Sequence, residues 1–291
     1  RLAGRAQAAI DILTEILERH RPASEALKDW GKAHRFAGST DRHAIGTLVY
    51  DSWRRRNSLG ARMGDGRPRA LVLAALHDCW NASVVDIAAL AGEAHGPGAL
   101  TDSETQTLAR AIPDDLSVAV KGDVPEWLVP SFERAFGERA VEEGAAIASR
   151  APIDLRVNTL KATRQQVLEA LARFGAVEGP LSPQCVRIAA PGHDTRNANV
   201  EAETAHGLGW YELQDAASQV AALLSGAAPG ETVADICAGA GGKTLAIGAG
   251  MRNTGRLYAF DTSGHRLDAP KPRLARSGLS HVHPAALTMR G

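Results

Sequence analysis

Cysteine is scarce in this chain: Cys79, Cys185 and Cys237 are the only three in 291 residues. They are odd in number and share no Cys-x-x-Cys spacing. That excludes a disulfide framework or a thiolate zinc site and fits a reducing cytoplasm. Long hydrophobic runs are missing as well. The longest, Ala70 to Leu76, falls far short of the ~20 apolar residues that cross a bilayer, so no membrane partner is expected. Metal-ligand spacing is equally thin: His281 and His283 stand two apart with no third ligand nearby, and no metal is expected. No signal peptide is legible, and a chain opening on Arg1 reads as one whose start has been trimmed. Net charge is +0, but the balance is uneven along the chain. Residues 1–70 hold 14 Lys/Arg against 8 Asp/Glu, and residues 71–150 hold 5 against 13. A basic first quarter suits a polyanion such as RNA.

What is present is core material. Hydrophobic residues make up 44% and charged residues 23%, an ordinary globular balance, and the length suggests two or three domains of ~100–200 residues each.

The most informative stretch is Val233-Ala-Asp-Ile-Cys-Ala-Gly-Ala-Gly-Gly-Lys-Thr244 and its sequel Arg256-Leu-Tyr-Ala-Phe-Asp261. A short apolar strand, Val233 to Ile236, runs into a glycine-rich turn and then into a helix opening near Gly242. A second strand closes on a carboxylate. Gly239, Gly241 and Gly242 let the backbone turn sharply and approach a ligand, and the helix start offers unpaired N–H groups to an anionic group. Asp261 lies 20 residues beyond Gly241, where a βαβ unit puts an acid on a ribose hydroxyl pair. A Walker A loop would need glycine where Cys237 stands, and a dinucleotide fingerprint would need Gly or Ala where Thr244 stands. S-adenosylmethionine is the nucleoside cofactor left. The plainer alternative is a glycine turn that only packs helix on strand.

Asp-Ile-Cys-Ala-Gly-Ala-Gly-Gly-Lys-Thr resembles the cofactor motif of the Sun/Fmu-type RNA 5-methylcytosine methyltransferases, usually Asp-x-Cys-Ala-Ala-Pro-Gly-Gly-Lys-Thr, with Gly239-Ala240 replacing the Ala-Pro pair. Two further segments carry the resemblance: Arg156-Val-Asn-Thr-Leu-Lys161, like the strand opening the family's small α+β domain, and Trp210-Tyr-Glu-Leu-Gln-Asp-Ala-Ala-Ser-Gln219, like its Gln-Asp-x-x-Ser segment. The pattern from Asp41-Arg42 through Ile45-Gly46, Leu48-Val49-Tyr50 and Trp53-Arg-Arg-Arg56 resembles the NusB-like helical RNA-binding domain that precedes some of these enzymes. The resemblance implies a multidomain chain. An all-α NusB-like domain would cover 1–124 and a small α+β, RRM-like domain 125–225. The first part of an α/β Rossmann-like methyltransferase domain would cover 226–291.

Local signals agree with that division. Residues 1–150 read as helices, with Thr40, Ser83 and Thr101 as N-caps, Thr101 forming a capping box with Glu104, and Pro68 in a first turn. Pro125 opens a helix through Trp127 and Phe132. Arg54 to Arg56 sit at the end of one helix, where cations suit the dipole, and Trp30, Trp53 and Trp80 read as core. After residue 150 the period changes. Ile153 to Leu160 reads as a strand, Thr163 caps a helix ending at Gly175, and Cys185 to Ile188 returns as a strand. Arg266 to Arg276 reads as a crossover helix, and His281 to Pro284 as a third parallel strand.

The resemblance implies S-adenosylmethionine-dependent methyl transfer to C5 of cytosine in RNA, ribosomal RNA ahead of transfer RNA, by a cytoplasmic monomer. The implied cofactor residues are Cys237, Ala238, Gly239, Ala240, Gly241, Gly242, Lys243, Asp261 and Arg266. The implied RNA contacts are Arg42, Arg54, Arg55, Arg56, Asn158 and Lys161, although Asn158 can equally make a turn and the arginines a solvated helix end. Gln214 and Ser218 either bond to the cofactor loop or cap the helix 216–225. No catalytic residue is assigned. The family's Thr-Cys-Ser and Asp-Ala-Pro-Cys-Ser-Gly motifs do not occur, and Asp268-Ala-Pro270 is followed by Lys271. The chain reads as a piece of a longer protein, its nucleophiles lying beyond Gly291, and inactive by itself. The competing reading from another class is a non-catalytic RNA-binding or ribosome-assembly factor with a vestigial cofactor pocket.

Overall fold

The computed structural model describes residues 1–193, 195–268 and 270–287. It divides into two compact units: Arg1–Ala151 with Pro191–Arg196, and Pro152–Ala190 with Asn197–Gly291.

The first unit is helical. Its helices are α1 (Leu2–Leu17), α2 (Ala23–Ala33), α3 (Ser39–Arg54), α4 (Arg56–Met63), α5 (Pro68–Asp78), α6 (Val84–Ala91), α7 (Asp102–Ala109), α8 (Val118–Lys121), α9 (Val129–Phe136) and α10 (Ala140–Ala148). The short apolar run of the sequence is α5, buried at every residue from Ala70 to Leu76. A helix that is apolar all round belongs at the centre of a bundle. Ile12 and Leu13 of α1 and Leu48 of α3 are fully enclosed in the same core. Ser83 caps α6, and Thr101 with Glu104 closes a full capping box on α7.

Four expectations need correction here. Thr40 is not the cap of α3, which starts one residue earlier after Gly38. The arginine run is not one helix end: α3 stops at Arg54 and α4 starts at Arg56. Trp53 is not core: it lies in the last turn of α3, past the stripe that Ile45, Leu48 and Val49 bury, and is 36% exposed. Pro125 opens only a 3-10 turn, Glu126–Leu128, before α9.

The second unit contains two sheets. The first is antiparallel, built from β1 (Ile153–Val157), β2 (Val177–Glu178), β3 (Cys185–Ile188) and β4 (Tyr211–Leu213) in the order β2-β3-β1-β4. Helix α11 (Arg164–Ala170) connects β1 to β2, and α12 (Thr204–Gly207) precedes β4. This is the split βαβ arrangement of ferredoxin-like domains. β1 is central, pairing Leu155 with Val186 on one side and Leu213 on the other. Its core holds Leu155, Val157, Val167, Leu171, Val186 and Tyr211. The Tyr211 hydroxyl donates to the Val200 carbonyl at 2.6 Å, so the buried ring leaves no orphaned oxygen. Thr163 and Gln166 form the capping box of α11, and Gly175 takes a left-handed φ of 70° beyond it.

Helix α13 (Ala216–Leu223) then leads into a parallel sheet of β5 (Thr232–Asp235), β6 (Arg256–Asp261) and β7 (Val282–Ala286), in that order. α14 (Gly242–Gly250) connects the first pair. α15 (Gly264–Asp268) and α16 (Pro270–Ser277) follow β6 and lie where a crossover helix is expected over Arg266 to Arg276. Ala269, the middle of the Asp268-Ala-Pro270 look-alike, and residues 288–291 lie outside the described residues. Among the described residues, no helix is long and apolar enough to cross a membrane, and no cluster of His, Cys, Asp or Glu could hold a metal ion.

Candidate functional site

The site forms where β5 and β6 end side by side. Their parallel register sets Asp235 opposite Ala259, so the loop after β5 meets the end of β6. The Ala238 amide donates to the Phe260 carbonyl at 2.9 Å, extending the sheet bonding into the loop. The Gly239 amide then donates to Asp261 Oδ2 at 2.9 Å, and the Ser263 amide to Asp261 Oδ1 at 2.9 Å. The acid thus ties the two loops together. A carboxylate offers about four lone-pair sites, so each oxygen keeps capacity for a further donor. The Ser263 amide, the Gly239 amide and the charge of Arg266 outweigh partial burial and hold this carboxyl below its ordinary range.

Two loop glycines take backbone conformations that side chains disfavour. Gly239 has φ +52° and Gly241 φ +79°, the left-handed region that a Cβ disfavours. At Gly241 a Cβ would also lie 3.0 Å from the Pro270 ring, so Gly241 packs tightly against the start of α16. The loop then enters α14 directly, with no side chain capping its first turn. Helix geometry leaves those first amides without intrahelical acceptors, a ready donor set for an anion or a carbonyl. A second clasp closes the loop beneath: Thr244 Oγ1 donates to Asp235 Oδ2 at 2.7 Å, and the Cys237 amide to Oδ1 at 3.3 Å. Cys237, Ala240 and Lys243 are exposed, Ala238 and Gly241 are buried, and Gly239 and Gly242 are intermediate. Arg266 is exposed on α15 and acts on Asp261 by charge alone.

The structure therefore gathers the residues singled out as a cofactor set around one loop. The donors, the two left-handed glycines and the ionised acid fit a nucleoside cofactor carrying a ribose diol. Gln214 lies beside the loop, its Nε2 3.5 Å from where a Cβ of Gly242 would be. Its Oε1 accepts from Arg156 Nε at 2.7 Å. Capping of α13 falls to Asp215, which accepts from the Ala217 amide, and not to Ser218.

The residues singled out for RNA fall in both units. Asn158 is 4% exposed. Its amide donates to the Gly209 and Ser277 carbonyls, both at 2.9 Å, and its Oδ1 accepts from the Leu160 amide. With donors and acceptor used inside the unit, Asn158 is a structural residue and its reading as an RNA contact is corrected. Lys161 is exposed. In the helical unit, Arg42 Nε donates to the Ala37 carbonyl at 2.9 Å. Arg54 pairs with Asp51 at 2.9 Å and lies over the Tyr50 ring. Arg55 reaches Cys79 Sγ at 3.4 Å and approaches Asp123. Arg56 is exposed. A cavity of about 640 Å³ in that unit, among Arg5, Trp30, His34 and Phe36, touches none of these residues except through neighbouring Asp41.

Sequence reasoning missed the group that backs the loop: Glu212 on β4, and Arg273 and Arg276 on α16. Both arginines reach Glu212, at 2.8 and 2.7 Å. Nearby Arg156 is 2% exposed, and burial lowers its guanidinium to about 10.

Two family models match the chain: the RsmF/B-like methyltransferase ferredoxin-like domain over residues 124–194, and the 16S rRNA methyltransferase RsmB/F over residues 222–289. The "Probable ribosomal RNA small subunit methyltransferase B" of Synechocystis sp. is 30% identical over 172 residues, 58% of this chain and 37% of that protein. A Mus musculus protein named 28S rRNA (cytosine-C(5))-methyltransferase is 31% identical over 153 residues, 46% of this chain and 32% of that protein. The chain thus spans about a third of the length of these curated relatives. The crystal structure of PH0851 is similar at a TM-score of 0.64 and 22% identity over 97% of this chain and 69% of that one, a likeness of fold.

Proposed function

We propose that this chain, which belongs to the Sun/Fmu-type RNA methyltransferase family, binds S-adenosylmethionine on the loop from Cys237 to Lys243 and serves methyl transfer to C5 of cytosine in ribosomal RNA. The observation that carries the reading is the junction at Asp261: an ionised carboxylate at the end of β6, bonded to Gly239 of the loop after β5. Its remaining lone pairs accept from the ribose hydroxyls, while the first amides of α14 and the loop backbone hold the rest of the cofactor. The Ser263 and Gly239 amides, with the charge of Arg266 added, hold the acid below its ordinary range, and Gln214 borders the loop. When bound, the cofactor supplies an electrophilic methyl group on a sulfonium. The names of the relatives support ribosomal RNA and cytosine C5 as the target.

C5 of cytosine becomes nucleophilic when a thiolate adds at the neighbouring C6. None of the three cysteines has that setting. Burial pushes the Cys79 thiol up to about 11, and Cys185 is buried in the antiparallel sheet, its thiol also raised by burial. Cys237 belongs to the cofactor loop. This chain alone is therefore expected to bind cofactor and transfer no methyl group. The NusB-like and RRM-like labels, and the division at 124 and 225, remain parts of the same proposal.

Titration calorimetry of the chain with S-adenosylmethionine, ATP and NAD tests it. S-adenosylmethionine should bind in preference to the other two, and Asp261→Ala should weaken it roughly 10- to 100-fold, as for loss of a charge-assisted hydrogen bond. Preference for ATP or NAD, or an unchanged affinity in the variant, removes the assignment.

A further inference from the structure

The outer turn of the glycine loop is held by a contact that no motif announces. Arg273 of α16 donates from Nη1 to the Ala240 carbonyl at 2.7 Å and from Nε to Glu212 Oε2 at 2.8 Å. Glu212 belongs to β4 of the antiparallel sheet, and its side chain is 8% exposed. Its other oxygen is occupied by Arg276 Nη2 at 2.7 Å. The carboxylate is thus fixed from both sides and buried, conditions under which a charge-assisted bond keeps its geometry. Only one of its two arginines goes on to the loop.

We propose that Arg273 is a positioning residue for the cofactor loop, joining β4 through Glu212 to the carbonyl of Ala240. Ala240 is the exposed apex between two left-handed glycines, so its neighbours on either side resist motion little. In this chain an Ala stands at 240 and a Gly at 239, and the guanidinium supplies from outside the stiffness that the loop sequence lacks. The planar fork of arginine reaches the carboxylate and the carbonyl at once. A lysine ammonium is a point charge on a flexible stem and holds the pair poorly. The consequence is a mechanical link: a displacement of β4 changes the position of the loop, and an occupied loop restrains β4.

The cofactor readout of this inference rests on the function proposed above, whereas its first readout does not. Hydrogen exchange of the amides of residues 237–243 is to be measured in the cofactor-free chain for wild type, Arg273→Ala, Arg273→Lys and Arg276→Ala, each checked for an unaltered circular dichroism spectrum. Arg273→Ala should speed exchange in the loop about tenfold, and Arg273→Lys should recover only part of the protection. Arg276→Ala removes an equal bridge to Glu212 without touching the loop, and should leave loop exchange within about twofold of wild type. S-adenosylmethionine affinity should fall about tenfold in Arg273→Ala and hold in Arg276→Ala. Unchanged loop exchange in Arg273→Ala, or an equal rise in both alanine variants, overturns the positioning role. If the wild type binds no S-adenosylmethionine while Arg273→Ala alone loosens the loop, the cofactor reading fails and the positioning role stands.

Discussion

The two sheets of the second unit are held by different forces. The antiparallel sheet encloses large apolar side chains: Leu155, Val186 and Tyr211 are at 0% exposure. The parallel sheet also buries Leu257 of β6, at 0% exposure, and Leu245 of α14, at 2%, but around its loop the enclosed side chains are smaller or fewer. There Ala238, Ala259 and Leu267 cluster with Val282 against them, and Ile236, just past β5, is 67% exposed. What fixes the loop of the parallel sheet is a set of directional polar bonds, namely Asp235 with Thr244, Asp261 with Gly239, and Arg273 with Ala240. Apolar packing sets stability and polar clasps set the shape of the site, so substitutions in the two sheets should be felt in different measurements.

The largest effect expected is on stability. Leu155→Ala empties a fully enclosed position and should cost about 2–5 kcal/mol. Ile236→Ala should stay within about 0.5 kcal/mol, as for an exposed site away from special features. Urea denaturation followed by tryptophan fluorescence and circular dichroism reads both, and equal losses would falsify the contrast between the two sheets.

Thiol chemistry sharpens the same contrast. Cys185 begins β3 and is 0% exposed, whereas Cys237 is exposed on the loop. Alkylation with iodoacetamide at pH 8 should label Cys237 at the rate of an accessible thiol. Cys185 should react at least about a hundredfold more slowly, since its modification waits on opening of the sheet. Burial raises the Cys185 and Cys79 thiols, so fewer thiolates are present in either at that pH. Peptide mapping that found Cys185 labelled as fast as Cys237 would show the antiparallel sheet to be the looser of the two.

Much of the site was legible in the sequence because it is local. Strand, glycine turn, helix start and acid follow one another within 29 residues, from Val233 to Asp261, and each announces itself by residue type. The capping box at Thr101 and the cap at Thr163 were readable for the same reason. What escaped has partners distant in the chain. Glu212 is 61 residues from Arg273 and 64 from Arg276, with no periodic signal joining them. β2 and β4, of two and three residues, exist because β3 and β1 pair with them, and they are too short to show alternation. Asn158 was misread because an asparagine that bonds across 119 residues looks, in sequence, like one that faces solvent.

The pH dependence of cofactor binding probes the polar side of the comparison. Asp261 is held below the ordinary carboxylate range, first by the Ser263 amide. It stays ionised across neutral pH, and its contribution is lost only as pH falls through that lowered value. Affinity for S-adenosylmethionine should therefore be flat between pH 9 and 5, declining only below about pH 4. A drop centred near pH 6.5 in calorimetry would assign the pH-sensitive contact to a histidine instead.

The smallest effect expected concerns the basic segment of the helical unit, where polar contacts consume most of the charge that the sequence offers. Arg54 is paired with Asp51 and Arg55 lies between Cys79 and Asp123, while Arg56 is exposed at the start of α4. A guanidinium already paired within the protein releases fewer counterions from RNA than one facing solvent. If this surface meets single-stranded RNA, log affinity falls with log salt by ~0.7 for each phosphate contact. Arg56→Ala should lower that slope by about one contact. The triple change Arg54→Ala, Arg55→Ala and Arg56→Ala should add little beyond it. Filter binding of an unmodified ribosomal RNA fragment at several salt concentrations provides the slopes. A triple variant that loses three contacts would mean the Asp51 and Asp123 pairings open when RNA arrives. An unchanged slope in every variant would mean the segment is a solvated helix junction with no part in RNA binding.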